Sequence, residues 1–366
     1  MRYWEYIRVE ELLALQSGSA ADGSDARVRS NDETLFIVVH QIYELWFKLV
    51  LAELRSVRAL LRKNPVPDQA LADAVRSLAR VVTIFEVATE HWRVVETLGT
   101  RDYLAFRDAL VGASGFQSAQ MRQIEILLGL DDERRLSSAG EHSYKDFLRG
   151  PSGGSSPALE RVEAELADGP SLKHALGDWL SRTPIDGSTD EADVSRYLES
   201  FVAAHERHAN ALCERARGAV SSQADFAIVE ERYRRGVAAA ASFLRAEDVA
   251  DPAERPKRRH IRAALVFIES HRELPRLSWP RELCERLLAV EQAMLVWRQR
   301  HARMVERVIG RRPGTGGSGG VDYLDATALR YRVFDELWTV RTVLLQAESV
   351  PAMSHADDYR LRVEDD

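Results

Sequence analysis

From Glu33 to Lys63 the chain reads ETLFIVVHQIYELWFKLVLAELRSVRALLRK, with neither glycine nor proline. A strand rarely exceeds about ten residues, so an unbroken run of this length predicts one long α-helix. Asp32 stands where an N-cap is expected, with Glu33 behind it. Apolar residues cover more than half the helix circumference, which predicts a helix buried among others. The rest of the chain supplies partners of the same kind. Helical periodicity continues over Pro65–Leu98, Tyr103–Leu110, the stretch after Gly115 (FQSAQMRQIEILLGL), Val194–Arg217, Ala224–Arg245, His260–His271 and Tyr331–Ala347. A further helix is expected to start at Pro280 and to stop at Gly310. Period-two alternation with turn punctuation is absent, so the predicted fold is all-α.

The breaks are Ser17–Asn31, Gly150–Pro157, the polar stretch Ala246–Arg259 and the glycine-rich Gly314–Gly320. The polar end after Pro351 reads as frayed. A chain of 366 residues suffices for one large domain or two ordinary ones. Its formal charge of −7 argues against a dedicated nucleic-acid binder. The two cysteines, Cys213 and Cys284, stand alone in their segments, which fits a reducing cytoplasm and no disulfide framework. No apolar run reads as long enough to span a bilayer, and MRYWEYIRVEELLALQ is too mixed in charge for a secretory signal.

Two of the ten histidines stand in apolar stripes. His40 lies with Phe36, Tyr43 and Phe47 within about 60° of arc on the first long helix. His301 lies in line with Met294, Trp297, Met304, Val305 and Val308. An imidazole in such a stripe loses hydration and needs a hydrogen bond, a metal or a ligand. Either histidine alone reads as a core residue bonded to a backbone carbonyl. Together, on two long apolar helices flanked by aromatics and methionine, they suit a haem crevice, which needs one axial imidazole and an apolar slot. Periodicity leaves open which of them is proximal. His205 and His208 have a metal-compatible H-x-x-H spacing, but their segment is polar and reads as a solvated face.

GTGGSGG lacks the Gly-Lys-Ser/Thr ending of a phosphate loop. It reads either as a linker or as an ordered lid whose backbone approaches a small polar ligand, with Thr315 as a hydroxyl handle.

These stretches resemble the tryptophan 2,3-dioxygenase family. The resemblance is carried by HQ-x-x-ELWFK, by ETLGTRDYLAFRDALVGASGFQS, by RAALVFIESHRELPRL and by RH-x-x-x-VER-x-IG-x-x-x-GTGG, in order along nearly the whole chain. It implies an all-α helical haem-binding domain of the tryptophan/indoleamine dioxygenase type, assembled as a homotetramer. The cofactor implied is haem b, active as Fe2+, with His301 as its axial iron ligand. His40 corresponds to the distal histidine facing the indole N–H, and Phe36 to a pocket wall. Arg107 matches the arginine that grips the substrate carboxylate, with Tyr103 one turn before it. Thr315 matches the threonine that contacts the ammonium. Ser114 and Gly115 fall near the distal face of the haem. Tyr3 and Tyr6 match tyrosines that a neighbouring subunit contributes.

The implied domain covers 1–350, with a divergent insert around 131–190 and a flexible tail over 351–366. The N-terminus is short, and the loop has glycine where GTGGSSG has its second serine. The implied reaction is cleavage of the indole C2–C3 bond of L-tryptophan, or a close indole amino acid, by O2. The product is N-formylkynurenine, and the place is the cytoplasm, without nucleic acid or membrane as partner. The alternatives are a monooxygenase on the same scaffold that gives a 2-oxindole, and a non-catalytic haem sensor.

Overall fold

Fourteen α-helices make up the regular structure among the described residues, which are 1–17, 30–107, 110, 117–136, 143–150, 153–219, 222–313 and 320–360 of a computed structural model. Two short helices, α1 (Tyr3–Tyr6) and α2 (Val9–Ala14), precede the long α3 (Asn31–Leu61) and α4 (Asp68–Val95). Then come α5 (Thr100–Arg107), α6 (Ala119–Leu128), α7 (Pro157–Ala167) and α8 (Leu172–Leu180). The remainder are α9 (Glu191–Arg217), α10 (Gln223–Leu244), α11 (Arg255–Ser270), α12 (Pro275–Ile309), α13 (Val321–Arg330) and α14 (Asp335–Val343). No β-strand occurs among the described residues.

Several boundaries differ from the sequence expectation, each for a local reason. Helix α3 is capped by Ser30, whose hydroxyl accepts from Glu33 N at 3.1 Å, so Asp32 sits in the first turn. Helix α11 starts at Arg255 because Pro256 occupies its first turn, where no N–H is needed. For the same reason α12 starts at Pro275, and Pro280 lies inside it. The expected helix Tyr331–Ala347 is shorter, α14 alone, and α13 precedes it. Between them the Val333 N–H donates at 2.6 Å to the buried Glu291 carboxylate, a long-range partner that takes the place of a helical carbonyl. Helices α7 and α8 were not expected. Ser156 with Pro157, and Ser171, cap them and are the signals that mark them.

The chain divides into two compact units, each discontinuous in sequence. Unit 1 comprises Met1–Arg55, Arg80–Gly169 and Val290–Val333. One of its apolar clusters joins Ala119, Leu148, Leu159 and Val162, and another is aromatic and is described below. Unit 2 comprises Ser56–Ala79, Pro170–Ala289 and Phe334–Asp366. Its core includes the fully buried Phe201, Leu244 and Phe267. Buried Arg262 lies over the Phe243 ring and is held by Asp248 through two bonds of 2.6 and 2.8 Å and by Glu336 at 3.0 Å. Residues 354–359 dock there as well: Asp186 accepts from Ser354 N and His355 N, and the Tyr359 hydroxyl accepts from Gly187 N.

Helix α3 is not buried all round. Leu45 and Leu49 are exposed, while Val39, Tyr43, Phe47, Val50 and Leu54 are core. Its length and composition also suffice to cross a bilayer, contrary to the reading that no apolar run does. In unit 2 neither histidine of the H-x-x-H pair is free. His205 Nε2 donates to the Val343 carbonyl at 2.8 Å, and His208 Nδ1 lies 3.2 Å from the Ser349 hydroxyl. No metal-binding cluster occurs among the described residues.

Candidate active site

The first wall of the site is the stripe that α3 carries in unit 1. His40 Nδ1 lies 2.7 Å from the Phe36 carbonyl one turn earlier. A carbonyl only accepts, so Nδ1 carries the proton and Nε2 presents a lone pair. Burial depresses the basicity of His40 further than the Phe36 carbonyl and the Glu44 charge restore it, so the ring is neutral. The Phe36 ring sits 4.1 Å from His40, 6.1 Å from Tyr103 and 5.7 Å from Phe106. Tyr103 and Phe106 are the buried residues of α5. Burial raises the Tyr103 phenol above its ordinary range against the pull of Arg107, so it stays protonated.

The second wall comes from α4 and α12. Trp92 lies flat on His301, with ring centroids 4.5 Å apart and planes 8° apart. Trp297 is 5.7 Å from His301, and Tyr43 on α3 closes the group at 4.4 Å from Trp92. Tyr43 is fixed in turn by donating to the Ala88 carbonyl at 3.0 Å. His301 makes no hydrogen bond among the described residues. Burial pushes it down to about 3, and the nearby His40 and Arg298 add to the shift. Tyr43 links the two stripes, with its ring 6.4 Å from His40 and 4.4 Å from Trp92, which stacks on His301.

This donor set fits a haem. Iron takes a neutral imidazole lone pair, which His301 offers at any physiological pH, and a porphyrin takes an aromatic slot such as Trp92, Trp297, Tyr43 and Phe36 provide. His301 would hold the iron, and His40 would face the group from the other helix.

Arg107 ends α5, and its Nη2 donates to the Pro313 carbonyl at 2.7 Å. Pro313 opens the glycine-rich loop. At the far end of that loop Gly320 adopts φ +60°, and a Cβ there would meet the Arg312 carbonyl at 2.8 Å. The two stems are thus pinched together beside Arg107, and only glycine permits that approach. Thr315 itself lies outside the described residues, as do Ser114 and Gly115. Tyr3 and Tyr6 are 75% and 74% exposed on α1, which has no buried residue. One chain by itself therefore does not bring them to the Phe36–His40 group.

Two features escaped the sequence reading. Trp92 gives no periodic signal of its own beyond an apolar position, although it makes the closest ring contact with His301. One turn before His301, Arg298 donates at 2.6 Å to buried Glu125, which also receives Arg122 at 2.9 Å and Arg135 at 2.7 Å. Burial would raise Glu125, yet the three guanidiniums outweigh it and hold the carboxyl at about 2.

Comparison with known proteins identifies the family. The sequence model of the tryptophan 2,3-dioxygenase family matches residues 1–344. The chain is 61% identical to tryptophan 2,3-dioxygenase of Sorangium cellulosum, over 100% of this chain and 88% of that protein. It is 54% identical to tryptophan 2,3-dioxygenase 2 of Ralstonia nicotianae, over 98% and 97% of the two chains. To tryptophan 2,3-dioxygenase of Anopheles gambiae it is 31% identical, over 97% and 88%. With a family match across nearly its whole length and 61% identity to such a relative, the chain belongs to the tryptophan 2,3-dioxygenase family.

Proposed function

We propose that this chain cleaves the indole C2–C3 bond of L-tryptophan with O2 to give N-formylkynurenine, using haem b in its ferrous state. The observation that carries the proposal is the fixed tautomer of His40 opposite the unbonded imidazole of His301. An acceptor on one wall suits an indole N–H, and a bare lone pair on the other suits iron. When bound, the haem supplies the binding and activation of O2.

The chain's own residues supply position. Arg107 uses Nη2 for Pro313 and keeps its remaining donors for the substrate carboxylate. Thr315 offers a hydroxyl to the ammonium, from a loop whose stems are held next to Arg107. Phe36 and Tyr103 form the indole wall, and His40 Nε2 accepts the ring N–H, which fixes which edge of the indole faces the haem. Ser114 and Gly115 complete the distal side. Holding both ends of the substrate in one pose supplies roughly 7–11 kcal/mol of barrier reduction.

The same reading takes 1–350 as one functional domain, since neither unit is a continuous segment. It makes the protein a cytoplasmic homotetramer in which Tyr3 and Tyr6 close a neighbour's site. Helices α1 and α2, which have no buried residue, and the exposed apolar Leu45 and Leu49 on α3 support such burial. Helix α3 is then a core and interface helix and not a membrane span.

The test is product mass from L-tryptophan under 18O2 with the haem-loaded enzyme. Two heavy oxygens are expected, and one, as in a 2-oxindole, overturns the assignment. Ferrous protein that binds tryptophan but never turns over would instead be a sensor. Arg107→Ala should weaken tryptophan binding about tenfold to a hundredfold with haem content unchanged. An unchanged affinity removes Arg107 from the clamp.

A further inference from the structure

Glu44 lies one turn beyond His40 on the same face of α3, and its carboxylate is half-buried without an ion pair among the described residues. Both carboxylate oxygens are nevertheless held. Ser118 Oγ donates to Oε1 at 2.6 Å, and Gln120 Nε2 donates to Oε2 at 2.7 Å. The same Gln120 amide also donates to the Glu44 backbone carbonyl at 2.7 Å. Ser118 in turn caps α6 by accepting from Met121 N at 3.3 Å. Neutral donors thus surround the carboxylate, and no cation pairs with it among the described residues.

A glutamine at this position could keep hydrogen bonds to both Ser118 and Gln120, so the packing does not require a charge. The charge has one evident recipient. Side chains on a helix lean toward its N-terminus, and residues four apart are neighbours, so the Glu44 carboxylate is directed toward the turn that carries His40. His40 already commits its Nδ1–H to the Phe36 carbonyl, and a nearby anion enriches the electron density of the ring in that tautomer.

We propose that Glu44 is a positioning residue acting through His40: pinned by Ser118 and Gln120, it strengthens Nε2 as an acceptor and so selects ligands that carry an indole N–H. This rests on the role of His40 proposed above. The pin fixes the carboxylate, so its field on the imidazole does not wander with side-chain rotation. It also joins the His40 helix to the first residues of α6, which keeps charge and acceptor in one frame.

The experiment compares binding of L-tryptophan with binding of its benzothiophene analogue, in which sulfur replaces the N–H, by calorimetry on the haem-loaded enzyme. Wild type, Glu44→Gln, His40→Ala, the double variant and Ser118→Ala are measured. Glu44→Gln should weaken tryptophan about fivefold and leave the sulfur analogue within about twofold. In the His40→Ala background it should have no effect on either ligand. Ser118→Ala, which loosens the pin but keeps the charge, should cost less than Glu44→Gln. Equal losses for both ligands, a loss that persists without His40, or a Ser118→Ala effect as large as that of Glu44→Gln overturns the proposal in favour of a structural pin. Equal binding of the two ligands by wild type overturns the His40 reading itself, and this one with it.

Discussion

Arg298 and His301 stand one turn apart on α12, both drawn out of water, yet they resolve the cost of burial in opposite ways. Arg298 is met by Glu125 at 2.6 Å, and the Tyr331 ring lies beneath the guanidinium. His301 has aromatic neighbours and no anion, so it sheds its proton and survives as a lone pair. Burial by itself decides nothing about charge; the partner does. The one helix thereby carries an ion-paired guanidinium and a neutral imidazole within a single turn.

The contrast breaks most completely at His301→Ala. Stable haem incorporation should be lost, read from the haem spectrum and iron content of the purified protein, while His40→Ala retains both. A normal spectrum in His301→Ala would place the axial ligand elsewhere. On the other side of the turn, Glu125→Gln leaves three guanidiniums around a neutral amide and should cost roughly 3–5 kcal/mol in denaturant unfolding. A cost under about 1 kcal/mol would mean that solvent or another anion reaches the cluster.

Acid should reveal the two burial strategies in sequence. The folded His301 titrates at about 3 against an ordinary 6.5, so the unfolded chain takes up a proton first, and apoprotein stability falls as pH drops below 6.5. The loss should reach about 2 kcal/mol at pH 5 and be absent from His301→Ala. Glu125, held at about 2 against 4.5, stabilises fully above pH 4.5, and its contribution disappears only as pH falls toward 2. Urea midpoints at pH 7, 5 and 4 separate these windows. The smallest effect belongs to Trp92→Leu, which keeps an apolar contact but removes the ring stacked on His301. About 1 kcal/mol beyond the packing loss is expected, together with a broadened haem absorption band. A variant with the wild-type band would show that Trp92 fills space without fixing the imidazole plane.

Much of this was legible in the sequence, and the exceptions share a cause. Helices α3, α4, α9 and α12 were readable because period and length are local properties, and the stripes around His40 and His301 came with them. Their boundaries were less so. Pro275 and Pro280, or Pro256 in α11, look like helix starts or breaks until the first turn is known to lie around them. The break at Val333 depends on Glu291, and the ion pair of Arg298 depends on Glu125, partners that no local pattern announces. Arg122, Arg135 and Arg298 carry no mark of burial in their own segments. Only their convergence on one carboxylate shows otherwise. The roles of Tyr3, Tyr6, Arg107 and Thr315 came from family resemblance, since a substrate clamp leaves no periodic trace.

The interleaving of the two units has a consequence for how the protein is made. Unit 1 begins at the N-terminus but receives its last segment only at Val290–Val333. His40 therefore leaves the ribosome 261 positions (301 − 40) ahead of His301. At roughly 5–20 residues per second that interval lasts about 13–50 s. Throughout it, α3 is a nascent apolar segment of membrane-spanning composition whose aromatic face lacks Trp297 and His301. With His301 as the proposed haem ligand, cofactor capture would be confined to the final seconds of synthesis or to the period after release, and any stall before residue 290 leaves that face open to chaperones or to aggregation.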